Sequence, residues 1–344
     1  MSHDEATEDR ARPGCRSEQH RQRGRTLALV TNAYVYADRD GSVLALDAPT
    51  ARPLRWAAWR PDGAHALLVG NRGQVLRFDG ARFDVMATDS AHNLRGVAWA
   101  PDGGRALLVG NRGAVLAYDG KASFTELPPV SDENLRRVAW APDGSCALIV
   151  GNAGVVLRFD AATGALQQLP GDRAHTMRSI AWRPDGAYAL IGGYASRRAG
   201  YPRPHMLYRC DGRYAQGILA TDDEDDAVAI DWRAGGEQPR ATVLVAAYSD
   251  DGPPRNKIVD YTSGGVRFSD IEGQPALLGF GWHPDGGYAL ACGESGALLR
   301  ADDAGMTTIA TATRDNLVGP FWQPRMSSPI ALMLKGPDER VYTI

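Results

Sequence analysis

Four arginines share one place in a recurring pattern. Arg55, Arg95, Arg136 and Arg178 each stand four residues before a tryptophan. The planar guanidinium fork matches carboxylates and phosphates, so four such groups gathered together would form an anion-recognition site. Other polar residues recur close by. Asn93 and Asn134 stand two residues before Arg95 and Arg136, Arg72 and Arg112 occupy equivalent Asn-Arg-Gly turns, and Arg197 and Arg198 lie in a longer stretch, Tyr194–His205. In later copies the arginine position holds Val228, Leu278 and Val318, while acids gather at Asp222, Asp223, Glu224, Asp225 and Asp226 and at Glu294, Asp338 and Glu339. The expectation is a face that is cationic over the first four copies and acidic over the last three. A packing role copied along the chain by duplication is the competing account.

Other chemistry is poorly supported. His92, Glu133, His175 and Asp315 each stand seven residues before a tryptophan and could ring a metal, but no His-x-His or His-x-x-x-His spacing accompanies them. Nucleophile-elbow, zinc-protease, P-loop and dinucleotide motifs are absent. The sequence therefore assigns no catalytic residue, no metal and no cofactor. Cys15, Cys146, Cys210 and Cys292 form no Cys-x-x-Cys pair, and read as isolated thiols in a reducing compartment.

The elements that must position these residues come from an internal repeat. LRWAAWRPDGAHALLVGNRGQVLRFDG from Leu54, LRGVAWAPDGGRALLVGNRGAVLAYDG from Leu94 and LRRVAWAPDGSCALIVGNAGVVLRFDA from Leu135 are copies of one unit, continued from Met177 and Leu277 and eroded around Trp232 and Trp322. The marker tryptophans are Trp59, Trp99, Trp140, Trp182, Trp232, Trp282 and Trp322. A period of about 40–45 residues with several short strands per unit is propeller spacing. Each unit decodes as four strands: a run ending in Trp, a Pro-Asp-Gly turn, an apolar run such as Ala106–Gly110, a short loop, then Ala114–Asp119 and Ser123–Leu127. The tryptophan reads as the wedge between neighbouring blades.

These Trp-x-Pro-Asp-Gly units resemble the WD40-like propeller repeat of the TolB type, over roughly Leu27 to Ile344. The Gly-His and Trp-Asp dipeptides of WD40 repeats are missing from the matching places. The resemblance implies a fold and leaves activity open. The fold class expected is all-β: a seven-bladed β-propeller of four-stranded antiparallel blades, with eight blades as the alternative. Residues 26–344 form the propeller and residues 1–25, rich in arginine and poor in apolar side chains, a disordered tail. After Trp322, Pro329–Leu334 and Arg340–Ile344 read as second and third strands with a fourth missing. Leu27–Asp47 reads as three strands lacking a first. Residues 26–49 are therefore expected to close the last blade, with Ser42–Asp47 as its fourth strand, although the tally then exceeds seven blades by two strands.

With 344 residues the chain needs no disulfide or metal staple, and its 39 glycines and 21 prolines fit many short strands joined by tight turns. A net charge of -3 argues against a general nucleic-acid binder. No apolar run is long enough to span a membrane, so a monomeric cytoplasmic protein is expected. Connections between first and fourth strands, and between second and third, fall on one face around the channel mouth. The long stretches Tyr194–His205 and Tyr248–Asn256 belong to that face. The leading functional reading is a non-enzymatic scaffold holding a protein or peptide partner there. The alternatives are a small-molecule hydrolase or lyase at the mouth, and an anion- or glycan-binding propeller using the arginines.

Overall fold

A computed structural model describes residues 30–171, 176–194, 205–220, 225–236, 238–247 and 254–336. Its strands are all paired antiparallel with their sheet neighbours, in five four-stranded sheets and one of eight strands. The eight-stranded sheet is two four-stranded halves joined at a single pair, Tyr194 with Asp226. Among the described residues the strands thus fall into seven groups of four. Helix among the described residues is limited to one short 3-10 turn, Glu294–Gly296. The stretch 1–25, Arg340–Ile344 and most of both long loops lie outside the described residues.

The innermost strands are Leu54–Trp59, Leu94–Trp99, Leu135–Trp140, Thr176–Trp182, Asp225–Arg233, Leu277–Trp282 and Leu317–Trp322. Each touches the next, and Leu317–Trp322 touches Leu54–Trp59, so the inner strands close a circle. Next outward come strands such as Ala66–Gly70 and Ala106–Gly110, buried at every position. A sheet covered on both faces by neighbours demands apolar residues on both faces, hence ALLVG rather than an alternating pattern.

The marker tryptophans tie one blade to the next. The Nε1–H of Trp99 donates to Ala58 O at 3.2 Å, Trp140 to Ala98 O at 3.2 Å, Trp182 to Ala139 O at 3.2 Å, Trp232 to Ala181 O at 3.3 Å and Trp322 to Gly281 O at 3.1 Å. In each case the acceptor precedes the neighbouring blade's own tryptophan. Trp59 donates to Phe321 O at 3.0 Å and carries the pattern across the point of closure. Trp282 departs from it, donating to Thr242 Oγ1 at 3.2 Å. Burying an indole contributes on the order of 2–3 kcal/mol, and its hydrogen bond fixes how the blades are rotated against each other.

Closure corrects one expectation. Beside Ile330–Lys335 lies not a C-terminal strand but Val30–Ala37, whose other edge pairs with Ser42–Ala48. The last sheet therefore holds two strands from each end of the chain. Ser42–Ala48 is the outermost strand, as its sequence suggested. Val30–Ala37 qualifies as a middle strand because both its faces are apolar: Tyr34 and Tyr36 pack with Tyr288 and Leu290, and Ala33 and Val35 with Leu54 and Phe78.

Candidate functional site

A backbone irregularity sets the arginines apart. In each of the first four inner strands the register with the second strand jumps at one residue, between Leu54 and Trp56, Leu94 and Gly96, Leu135 and Arg137, and Met177 and Ser179. The residue passed over is Arg55, Arg95, Arg136 or Arg178. A β-bulge adds one residue to a strand and re-aims its side chain. Here it directs each arginine toward the propeller axis. The same jump falls at Val228 and Leu278 in the fifth and sixth blades.

The bulged residues converge on a cavity of about 220 Å³, lined by Arg55, Arg95, Arg136, Arg137, Arg178 and Asp226 on one side and by Val228, Leu278 and Val318 on the other. Among the described residues five guanidinium groups thus share a cavity with one carboxylate. On the later blades the described lining is apolar, because those blades carry aliphatic side chains at the bulge position. Asp225 and Asp226 do not form a separate acidic surface. They begin an inner strand and are each 2 % exposed. Asp226 Oδ2 pairs with Arg178 Nη1 at 2.8 Å, and Asp225 Oδ1 with Lys257 Nζ at 3.4 Å.

Each of the first three arginines is anchored at one end only. Arg55 Nε donates to Asn71 Oδ1 at 3.1 Å, Arg136 Nε to Asn152 Oδ1 at 2.9 Å, and Arg95 Nε to Asn111 Oδ1. The Asn supplied by each blade's own loop orients the fork. Among the described residues no protein acceptor meets the terminal nitrogens of Arg55, Arg95 or Arg136. In the fourth blade Tyr194 stands where the Asn would be, with its ring 5.5 Å from the Arg178 guanidinium. Arg178 Nε, Arg137 Nε and Asp226 Oδ1 are buried without a hydrogen-bond partner. Buried polar atoms usually have partners, so three such atoms around one cavity mark it as a place where a polar ligand would be stabilised.

Electrostatics agree. Burial lowers the pKa of Arg55 and Arg95, and for Arg95 the charges of Arg55 and Arg178 add to it. Burial, then Arg95 and Arg178, bring Arg136 down to about 10. Arg137 falls to about 9, first from burial and then from Arg136, Arg95 and Arg178. Burial raises the Asp226 carboxyl despite Arg178 and Arg136. All of these shifts on the arginines have one remedy, an added negative charge in the cavity.

Arg137 has no counterpart in the repeat. Its Nη1 donates to Arg95 O and to Arg136 O, both at 2.8 Å. The guanidinium then reaches Trp56, two blades away, at 3.5 Å from the ring centroid. It crosses the second blade at Gly96, where a Cβ would stand 2.8 Å from Arg136 O and 3.2 Å from Arg137 Cα. Trp56 in turn meets Phe321 of the last blade edge-on, with centroids 4.7 Å apart. Two hints are legible in the sequence: Trp56 is the one tryptophan outside the marker series, and Gly96 stands at its equivalent position in the next copy.

The remaining candidates have other work. Arg72 and Arg112 are exposed, sit at φ 55° and 57°, and do not line the cavity. Their backbone N–H groups donate to Asn93 Oδ1 at 3.0 Å and Asn134 Oδ1 at 3.3 Å, so the two asparagines clamp the preceding blade's loop. The next residue completes the clamp: Gly73 N–H donates to His92 O at 2.6 Å and Gly113 N–H to Glu133 O at 2.8 Å. A Cβ on Gly73 would stand 1.8 Å from Ser90 O, which excludes every other residue. The position proposed for a metal ring is thus used through its backbone. His92 Nε2 lies 3.6 Å from Glu126, and Asp315 accepts from Tyr34 and pairs with Lys335 at 2.9 Å. Among the described residues no three His, Cys, Asp or Glu groups are placed to hold a metal. His175, Arg197, Arg198, Asp222, Asp223, Glu224, Asp338 and Glu339 lie outside the described residues.

No protein-family model and no curated protein matches the chain. Solved structures match its fold. A chain described as YCF48 bound to D1 peptide superposes with a TM-score of 0.59 at 15% identity, covering 84% of this chain and 93% of that one. A chain of a mitotic checkpoint complex superposes with a TM-score of 0.57 at 18% identity, covering 76% of this chain and 78% of that one. The chain is a β-propeller.

Proposed function

We propose that this propeller is a binding scaffold whose axial cavity receives an acidic group of a protein or peptide partner. The observation that carries the reading is that Arg55, Arg95 and Arg136 line one cavity while their terminal guanidinium nitrogens meet no protein acceptor among the described residues. An amphipathic wall adds a preference. An acidic side chain would meet the arginines while a neighbouring aliphatic side chain meets Val228, Leu278 and Val318. Charge-assisted, bidentate contacts of this type are about twice as strong as neutral hydrogen bonds. Placement on rigid inner strands spares the ordering cost that a loop-borne site would incur.

The structural neighbours support a protein or peptide partner in general, since one is described with a bound peptide and the other within a complex. The Pro-Asp-Gly repeat supports a place among TolB-type propellers, and the buried free thiols Cys146, Cys210 and Cys292 support a cytoplasmic location. A peptide array probed with the protein and with the Arg95→Ala/Arg136→Ala variant tests the reading. It is supported if peptides pairing an acid with an aliphatic residue bind the protein and lose the variant. Equal binding of both proteins, or selection of neutral or basic peptides, contradicts it.

A further inference from the structure

The repeat covers its marker tryptophans in a consistent way, and one of them lacks the cover. In four blades the residue just before the second-strand Ala faces the next blade's indole. His65 meets Trp99 at 5.3 Å, Arg105 lies 5.6 Å over Trp140, Tyr188 meets Trp232 at 6.1 Å and Tyr288 meets Trp322 at 5.7 Å. A second cover comes from the residue after the preceding tryptophan, as when Arg60 lies 6.0 Å over Trp99, Arg233 4.6 Å over Trp282 and His283 4.9 Å from Trp322. A third comes from the blade's own third strand: Phe78 beside Trp59, Tyr118 beside Trp99, Phe159 beside Trp140.

At Trp182 all three covers are small. The two residues from the preceding blade are Cys146 and Ala141, and the third-strand residue, opposite Ala189 as Phe159 is opposite Ala147, is Cys210. Among the described residues no ring and no guanidinium lies over this indole. Trp182 is half-buried where Trp99 and Trp140 are buried. A cavity of about 650 Å³ opens beside it, lined by Ala141, Cys146 and Trp182 and rimmed by Asp143, Asp211 and Arg213. That volume is within the range of ligand sites. Backbone N–H groups hold both rim carboxylates below the usual range, so they are ionised at neutral pH. Arg158, also in the lining, is paired with Asp160 at 3.0 Å, which leaves two acids against Arg213.

We infer that this cleft between the third and fourth blades is a second binding site, taking an arginine side chain of a partner. The guanidinium would stack on Trp182 as Arg105 does on Trp140, with its N–H groups toward Asp143 and Asp211. Cation–π stacking on Trp strengthens as the site is desolvated, and the two carboxylates select a cation over a neutral ring. The site is separate from the arginine-lined cavity and stands whether or not that cavity binds acids.

The probe is N-acetyl-arginine amide, followed by NMR at the Trp182 indole N–H signal, assigned with Trp182→Phe. The expected result is a saturable shift with a dissociation constant on the order of millimolar, and about tenfold weaker binding of the citrulline analogue, its neutral isostere. Cys146→Tyr should raise the melting temperature, by restoring the missing cover, and abolish the shift. Asp143→Asn/Asp211→Asn should weaken binding at least about threefold and serves if the tyrosine variant folds poorly. Arg95→Ala/Arg136→Ala should leave it unchanged. The inference is overturned if the arginine probe gives no saturable shift, if citrulline or N-acetyl-tyrosine amide binds as well, or if the shift survives in Cys146→Tyr.

Discussion

The guanidinium of Arg137 lies 3.5 Å over the ring of Trp56, although one whole blade separates the strands that carry them. This contact joins the third blade to the first beneath the cavity, and Trp56 passes it on to Phe321 in the last. A desolvated cation–π pair contributes about 2 kcal/mol, and truncating a packed indole costs about 3–5 kcal/mol. Trp56→Ala should therefore lower stability by about 3–5 kcal/mol in urea unfolding, and Trp56→Phe by clearly less. A neutral Trp56→Ala would show that the contact holds nothing in place.

Among the described residues Asp226 is the one carboxylate beside five cavity arginines. Removing one partner of a buried pair leaves the other charge exposed to an apolar surround and costs about 3–5 kcal/mol. Asp226→Ala should show such a loss in denaturant unfolding, and Asp226→Ala/Arg178→Met should recover most of it. The single variant should also bind anions more tightly, since the cavity loses its internal competitor. An Asp226→Ala protein of unchanged stability and unchanged anion affinity would remove the carboxylate from the account.

Asp231 gives a pH test. Its Oδ1 accepts the backbone N–H of Trp232 at 2.9 Å and its Oδ2 that of Trp282 at 2.8 Å, joining the fifth and sixth blades. Burial pushes the carboxyl up to about 6 against the pull of those two donors. A carboxyl that holds its proton more tightly when folded makes the folded state take up protons between the ordinary value near 4 and about 6, so its contribution to stability falls as pH rises through that window. The stability difference between the protein and Asp231→Asn, measured by urea unfolding from pH 4 to 7, should shift against the protein over that interval and level off above it. A flat difference would mean that the group titrates normally.

Closure predicts the effect of truncation. Deleting residues 1–48 removes both N-terminal strands of the last sheet and leaves Ile330–Lys335 with an open edge. An unpaired apolar edge invites association. The truncated chain should melt at a lower temperature and appear as oligomers in sedimentation. A monomer of unchanged melting temperature would contradict closure by Val30–Ala37.

How far the sequence reaches depends on what leaves a periodic trace. The tryptophan period revealed the blades because every wedge needs the same indole, and the arginines were visible because they ride on that period. The bulge that aims them left no trace, because Leu54–Arg55–Trp56 has the same composition whether or not Arg55 is passed over in the register. Arg137 lies outside the repeat, and its partner Trp56 is distant in both sequence and blade. Asp226 was hidden inside an acidic run whose earlier members suggested a solvated loop, whereas strand pairing with Ala246 draws it inward. The order of the last sheet is less legible, because Val30–Ala37 and Arg340–Ile344 both read as a third strand, and only the pairing with Ile330–Lys335 gives that place to the first.

The central claim is that arginines of four blades form one anion receptor, and sulfate tests it without knowledge of the partner. At constant ionic strength, replacing chloride by sulfate should raise the melting temperature of the protein well beyond the general salting effect seen in Arg95→Ala/Arg136→Ala. The difference should saturate, as ligand binding to the folded state requires. Equal stabilisation of the two proteins at every sulfate concentration would contradict the receptor.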